Sequence, residues 1–232
     1  MLTKIDEQWL RATHPKLIPT EDGGIAGTIE FSASYDERRN LFIPLSRRKA
    51  DEEDSSVLYC SFEIEIQERN DKSTSQLPAL RVRGVDAIPD RHFNVRDNSA
   101  CLCSPFEELD FTQPEFQFRV FLEKLVVPFL YGQAFYTAKG YWPWEEYAHG
   151  VTGILEAYFR VGDESRARDC VLRLSQAIEW PSIKSALLQK PYVKGHTPCF
   201  CLKKDPIRRC HPDALKGALR LQQYLRVLDI SL

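Results

Sequence analysis

The sequence predicts an α+β fold, an antiparallel β-meander packed on helices and followed by a small helical extension. Three observations predict it. Apolar and polar residues alternate with period two in the first part of the chain, helical spacing takes over after Phe111, and the alternating segments follow one another closely enough for hairpin-type connections. With 232 residues, 43% hydrophobic and 28% charged, the chain is long enough to bury a substantial core.

The opening segment, Ile5 to Ala12, reads as a short accessory helix with Trp9 and Leu10 on its apolar side, ended before Pro15 and Pro19. From Gly24 onward Ile29, Phe31, Ala33 and Tyr35 alternate with Thr28, Glu30, Ser32 and Ser34, the pattern of a half-buried strand. After a charged stretch from Arg47 to Asp54, Leu58, Cys60, Phe62, Ile64 and Ile66 mark a second strand face opposite Ser61, Glu63, Glu65 and Gln67. Cys60 falls on the core side, where a thiol behaves as a small hydrophobe. A polar loop, Asn70 to Gln76, leads to a third strand at Leu80 to Val85.

Between Ile88 and Phe111 neither period holds, yet this stretch carries His92, Asn94, Cys101 and Cys103. Irregular segments displayed on a rigid scaffold often carry function. Thr112 and Glu115 have capping-box spacing, and Phe118, Phe121, Leu122, Leu125, Val126, Phe129 and Leu130 predict a long helix that Pro128 kinks or ends. Aromatic residues concentrated from Phe111 to Tyr147, including Tyr141-Trp142-Pro143-Trp144, make this region the main packing partner of the sheet. Helices are expected over Val151 to Arg160 and Glu164 to Trp180. A loop, Lys190 to Pro198, then precedes a last helix opened by Pro212, with Leu221, Tyr224, Leu225 and Leu228 on one face. The expected division is residues 1–150 as a core with its accessory helix and 151–232 as a helical extension.

Composition narrows the function classes. Lys+Arg 31 against Asp+Glu 33 gives a net charge of −2, so no excess of positive charge draws the chain to nucleic acid. No apolar run approaches the ~18–20 residues of a membrane span, and Met1 to Lys16 lacks a signal-peptide core; a cytoplasmic location without a membrane partner is expected. Seven cysteines, clustered as Cys101/Cys103 and Cys199/Cys201/Cys210, suit thiol or metal chemistry in a reducing compartment better than a disulfide framework.

Cys199, Cys201, Cys210 and His211 form a C-x-C-x8-C-H pattern, four ligands of the kind that suit tetrahedral zinc. Three thiolates and a neutral imidazole leave such a site with a charge of about −1, which Lys203, Lys204, Arg208 and Arg209 offset. Four protein ligands leave no open position for water, so the metal's role is structural or for docking. The pattern resembles the SEC-C zinc motif, except that Leu202-Lys203-Lys204 replaces the glycine-rich turn usual after the second cysteine.

The segment Pro89-Asp90-Arg91-His92-Phe93-Asn94 with Cys101-Leu102, placed between a meander and a long helix, resembles the active-site region of E2 ubiquitin-conjugating enzymes (the UBC-like fold). It departs from that family in Phe93, where the His-Pro-Asn motif has proline, in lacking a glycine just before Cys101, and in having Cys103 nearby. The resemblance implies that Cys101 carries a thioester, that Asn94 supports the oxyanion or the active-site loop, and that His92 is mainly structural. From Val127 to Gly150 the chain is more similar to the E2-like proteins of bacterial short type II CBASS anti-phage operons. In that group the E2 takes the C-terminus of a CD-NTase, a cGAS-like nucleotidyltransferase, as a thioester and transfers it to an amine acceptor, which primes antiviral signalling.

A cysteine suits this chemistry, because sulfur is intrinsically nucleophilic and leaves readily from a thioester. No G-x-G-x-x-G or Walker loop is present, so the acyl donor must be activated by an E1-like partner or a substitute. Cys103 is a candidate redox partner for Cys101, by a disulfide that would switch the enzyme off. Two other classes fit the same residues: a non-catalytic zinc-containing adaptor that binds the CD-NTase, and a cysteine hydrolase or thiol oxidoreductase using Cys101 with His92 or Cys103.

Overall fold

The computed structural model describes residues 2–45, 57–69, 75–94, 97–190, 192–201, 203 and 205–227. Contacts divide the chain into two compact units, Met1–Cys103 with Asp110–Glu145, and Ser104–Leu109 with Glu146–Leu232.

In the first unit, helix α1 (Lys4–Thr13) starts at a capping box. The Thr3 hydroxyl accepts from the Asp6 N–H, and the Asp6 carboxylate accepts from the Thr3 N–H at 2.9 Å. Leu10 is buried and Trp9 packs partly against the same core. The sheet is antiparallel throughout. Strands β1 (Leu17–Pro19) and β3 (Leu41–Leu45) both pair with β2 (Ile25–Asp36), whose other edge pairs with β4 (Val57–Gln67), and β4 pairs with β5 (Ala79–Val82). Register runs from Ile25 opposite Ile66 to Ser34 opposite Val57, so the apolar sets of β2 and β4 share one face.

The third strand stops at Val82, short of the expected Val85. Gly84 turns the chain there with φ of +75°.

Helix α2 (Leu109–Thr112) is followed by α3 (Phe118–Phe121), a single π-helical turn (Leu122–Val126) and α4 (Val127–Lys139). The helix expected to start at the Thr112 and Glu115 capping-box spacing does not start there. Pro114 disfavours helical backbone at the preceding residue, so Thr112 closes α2 and the longer helix begins at Phe118 with Gln117 at its N-cap. Pro128 neither ends nor breaks the helix path. It falls in the first turn of α4, directly after the π-helical turn, where its missing N–H and its ring are accommodated.

Ile25, Ile29, Ile64, Ile66 and Leu80 of the sheet pack with Phe118, Phe121, Leu122, Val126 and Leu130. Ala33, Tyr35 and Cys60 form a second cluster with Tyr131 and Phe135.

The second unit contains α5 (Gly150–Val161), α6 (Ala167–Ser175), α7 (Trp180–Leu187), α8 (Ile207–Cys210) and α9 (Pro212–Val227). The helix expected over Glu164 to Trp180 is shorter, Ala167–Ser175, and a second helix begins at Trp180. The Ser175 hydroxyl donates back to the Leu172 carbonyl at 2.8 Å at the end of α6, and Pro181 fits only the first turn of a new helix, α7. Leu155, Tyr158, Cys170, Leu174, Ile183 and Leu221 fill the core. Buried Gln222 donates to the Leu187 and Gln189 carbonyls at 2.7 and 2.8 Å and accepts from the Val193 N–H at 2.9 Å, fixing that connection to α9. Leu228, expected on the face of α9, lies outside the described residues. Among the described residues no helix is long and apolar enough to cross a membrane.

Helices α5 and α9 approach closely at Gly217, where a Cβ would lie 2.0 Å from the Leu155 carbonyl oxygen. Gly217→Ala is expected to force the helices apart and to lower the unfolding free energy by about 1–3 kcal/mol or more, read from the shift of the urea midpoint.

Candidate functional site

The irregular stretch after β5 is closed by a short antiparallel pairing. The Cys101 N–H donates to the His92 carbonyl at 2.7 Å, the Asn94 N–H donates to the Ser99 carbonyl at 2.8 Å, and Phe93 and Ala100 form the bridge between them. The Ala100 N–H donates to the Leu80 carbonyl at 2.8 Å, which attaches the loop to β5. Phe93 is buried and packs edge-on against Phe129 of α4, with ring centroids 5.5 Å apart. An apolar ring at this position therefore anchors the loop from below.

His92 has left-handed backbone, φ 57° and ψ 48°, at the end of the 3-10 turn Pro89–Arg91. Its ring meets Trp142 edge-on at 4.7 Å. The turn itself is held by Gln133, which donates to the Arg91 carbonyl at 2.7 Å, and by the Trp142 indole N–H, which donates to the Asp90 carbonyl at 3.2 Å.

Cys101 is half-buried and Asn94 is exposed. The Cys101 thiol donates to Asn94 Oδ1 at 3.2 Å. The Asn94 amide nitrogen donates to Ser99, with Nδ2 at 3.0 Å from the hydroxyl and 3.3 Å from the carbonyl oxygen. The amide thus presents its oxygen to the sulfur. In this orientation Asn94 bridges Cys101 and Ser99 within the loop; an oxyanion-donor role requires the amide to turn.

Burial pushes the Cys101 thiol above its usual range; Arg69 pulls it down and Asp97 pushes it further up. Asp97, although its burial acts upward, is held below the usual carboxylate range by hydrogen bonds from Ser99 and by its ion pair with Arg69. Arg69, Asp97 and Ser99 were not legible as site residues. Arg69 is far away in the sequence, and nothing in local spacing signals that it returns to this loop.

Cys103 is half-buried and, with Leu102, packs against the first unit's core. None of the seven cysteines, all of them among the described residues, is in a disulfide. Cys60 and Cys170 are deeply buried, and burial alone pushes Cys60 up to about 12.

In the second unit Cys199, Cys201, Cys210 and His211 converge, with all four ligand atoms within 4.8 Å of one another. Cys199 Sγ lies 3.2 Å from His211 Nδ1, and Cys201 Sγ lies 3.4 Å from Cys210 Sγ. A tetrahedral zinc-type site has ligand–ligand edges of about 3.6–3.8 Å, so seating an ion would require these two pairs to open slightly and the longer separations, up to 4.8 Å, to close. The backbone produces this convergence. Pro198 and Pro206 form a bridge, the Cys199 N–H donates to the Asp205 carbonyl at 2.8 Å, and α8 carries Cys210 back to face the Cys-x-Cys segment.

His211 then occupies the junction between α8 and α9. Burial pushes the Cys199 thiol up to about 12, the opposite of what a bound cation would do to a coordinating thiol. Arg208 and Arg209 are exposed near the cluster, as is Lys203 on the connecting loop. Leu202 and Lys204 lie outside the described residues. The four residues could hold a metal ion.

Comparison of the chain with protein-family models, with curated proteins and with solved structures returns no match.

Exposure orders the thiols. Under native conditions iodoacetamide is expected to label Cys101 well before Cys60 and Cys170, which require local unfolding to react, as peptide mass mapping over time will show.

Proposed function

We propose that the chain is an E2-like acyl carrier whose Cys101 takes a protein C-terminus as a thioester and passes it to an amine. One observation carries this reading: a partly exposed thiol lies 3.2 Å from the Asn94 carboxamide, in a loop that follows an antiparallel sheet and precedes the long helix.

In the first step the Cys101 thiolate attacks the acyl carbon of a donor already activated by an E1-like partner or a substitute. The C–S bond forms, and the activating group leaves with the electron pair of its bond to carbon. In the second step an acceptor amine attacks the thioester carbonyl, C–N forms, C–S breaks, the thiolate is released and the amine loses a proton. After its amide turns, Asn94 can donate to the oxyanion formed in either step. His92 acts through the backbone and its ring contact with Trp142, as a support of the loop.

The resemblance to short type II CBASS E2-like proteins makes the C-terminus of a CD-NTase the proposed donor and CBASS antiviral signalling in the cytoplasm the proposed setting. Zinc is the proposed ion of the second unit. Its four ligands close the coordination sphere, so the metal fastens the start of α9 instead of handling substrate.

Co-expression with the CD-NTase and its activating partner is expected to yield an adduct on Cys101 that appears on non-reducing gels, is cleaved by hydroxylamine and is abolished in Cys101→Ala. Cys101→Ser is expected to accumulate a hydroxylamine-resistant oxyester. Full signalling by Cys101→Ala would instead select the adaptor reading, and turnover of esters or disulfides without an adduct would select the hydrolase or oxidoreductase.

The metal proposal is tested separately. The purified chain is expected to contain one zinc ion, and Cys210→Ser or His211→Ala is expected to lose it and to lower the melting temperature by about 5 °C or more. Acidification is expected to release the ion as the ligands take up protons.

A further inference from the structure

We propose that Arg69 is a positioning residue for Cys101, acting through Asp97 and Ser99 to lock the Asn94 carboxamide with its oxygen on the thiol. The functional meaning of this lock rests on the thioester reading of Cys101; the lock itself does not.

The direction of every hydrogen bond in the chain of contacts follows from donor counting. A carboxylate only accepts, so the Ser99 hydroxyl uses its single hydrogen on Asp97 Oδ1, at 2.7 Å. Its lone pairs must then accept, one from Arg69 Nη2 at 2.8 Å and one from Asn94 Nδ2 at 3.0 Å. The Ser99 carbonyl accepts a second contact from Nδ2 at 3.3 Å. A half-turn of the Asn94 amide would set its oxygen against the Ser99 carbonyl, two acceptors facing each other. The oxygen is therefore held toward Cys101.

Arg69 fixes the far end. Its Nη1 pairs with Asp97 Oδ2 at 2.7 Å and its Nε donates to the Leu77 carbonyl at 3.2 Å, so one guanidinium joins the end of β4, the connection to β5 and the thiol loop. Its side chain is only 13% exposed, which screens the pair less than a surface one. Arg81 adds a longer contact from Nε to the Asp97 carbonyl, at 3.4 Å.

The consequence for the sulfur is directional. A neutral thiol can donate to the Asn94 oxygen, but a thiolate would face that oxygen's lone pairs. Ionisation at the loop thus needs the amide to leave Ser99 and turn. Among the described residues, the charged groups acting on the thiol are Arg69, from the segment after β4, and Asp97, within the loop; they oppose one another. Removing Arg69 frees Asp97 and Ser99, and with them the Asn94 amide, to turn.

The test is the pH dependence of Cys101 alkylation in the full chain, with iodoacetamide as probe and peptide mass mapping to separate Cys101 from Cys103. The wild-type midpoint is expected above the ~8.5 of a free cysteine. Asn94→Ala removes the oxygen and is expected to lower the midpoint and to raise the rate at pH 7.5 several-fold. Arg69→Met releases the amide from Ser99 and is expected to lower the midpoint in the same direction as Asn94→Ala. Adding Asn94→Ala to Arg69→Met is expected to lower it no further, because the amide is already released.

The signs discriminate, because an Arg69 that acted only as a nearby cation would give a rise in the midpoint on its removal. An upward shift or an unchanged midpoint in Arg69→Met, or an unchanged midpoint in Asn94→Ala, overturns the proposal. Expected midpoint shifts without any thioester on Cys101 would sink the acyl-carrier reading and leave the lock standing. A thioester on Cys101 with unmoved midpoints would do the reverse.

Discussion

The arrangement around the thiol depends on one backbone pairing, that of His92 and Asn94 with Cys101 and Ser99 across the Phe93–Ala100 bridge. Without it, the side chains of Asn94 and Cys101 would belong to a free surface loop. With it they meet at 3.2 Å, and the loop becomes an extension of the sheet through the Ala100 to Leu80 bond. Loop residues held this way lose less freedom on meeting a reactant, the advantage of building a site on a rigid support.

The sheet and the long helix supply that support from two sides. Phe93 rests on Phe129, while Gln133 and Trp142 hold the carbonyls of the turn before His92. The polar side of the loop is fastened differently, by an ion pair and a serine instead of an apolar contact. Packing sets where the loop lies, and the polar contacts set which atom of Asn94 faces the sulfur. A similar division holds in the second unit, where apolar packing of α5 on α9 forms the core and four polarizable ligand atoms gather at the α8–α9 junction.

What the sequence made legible follows from the range of each signal. The long strands β2 and β4 declared themselves by alternation, because one face of each is buried over many residues. Strands β1 and β3 did not. They are short, each contains a proline, and they lie side by side along the same edge of β2, where pairing demands no alternating pattern. The cysteine and histidine convergence was readable because all four ligands come from one short stretch. The Thr112 and Glu115 spacing misled because a proline between them outweighs a cap. The partners of Asn94 were out of reach, since a strand connection must fold back before Arg69 can meet Asp97.

The single π-helical turn between α3 and α4 carries a consequence for how this helix can vary. A π turn contains one residue more than the α-helical path requires, and that extra residue offsets the faces before and after it. Upstream, Phe118 and Phe121 address the cluster around Ile29 and Ile64; downstream, Tyr131 and Phe135 address the cluster around Ala33 and Cys60. Shortening the chain by one position within Leu122–Val126 would restore ordinary winding and keep both faces on their targets. The same deletion elsewhere along the helix would rotate everything beyond it by about 100° and turn aromatic rings toward water. This stretch is thus the place where the helix can absorb a change of length without losing its grip on the sheet.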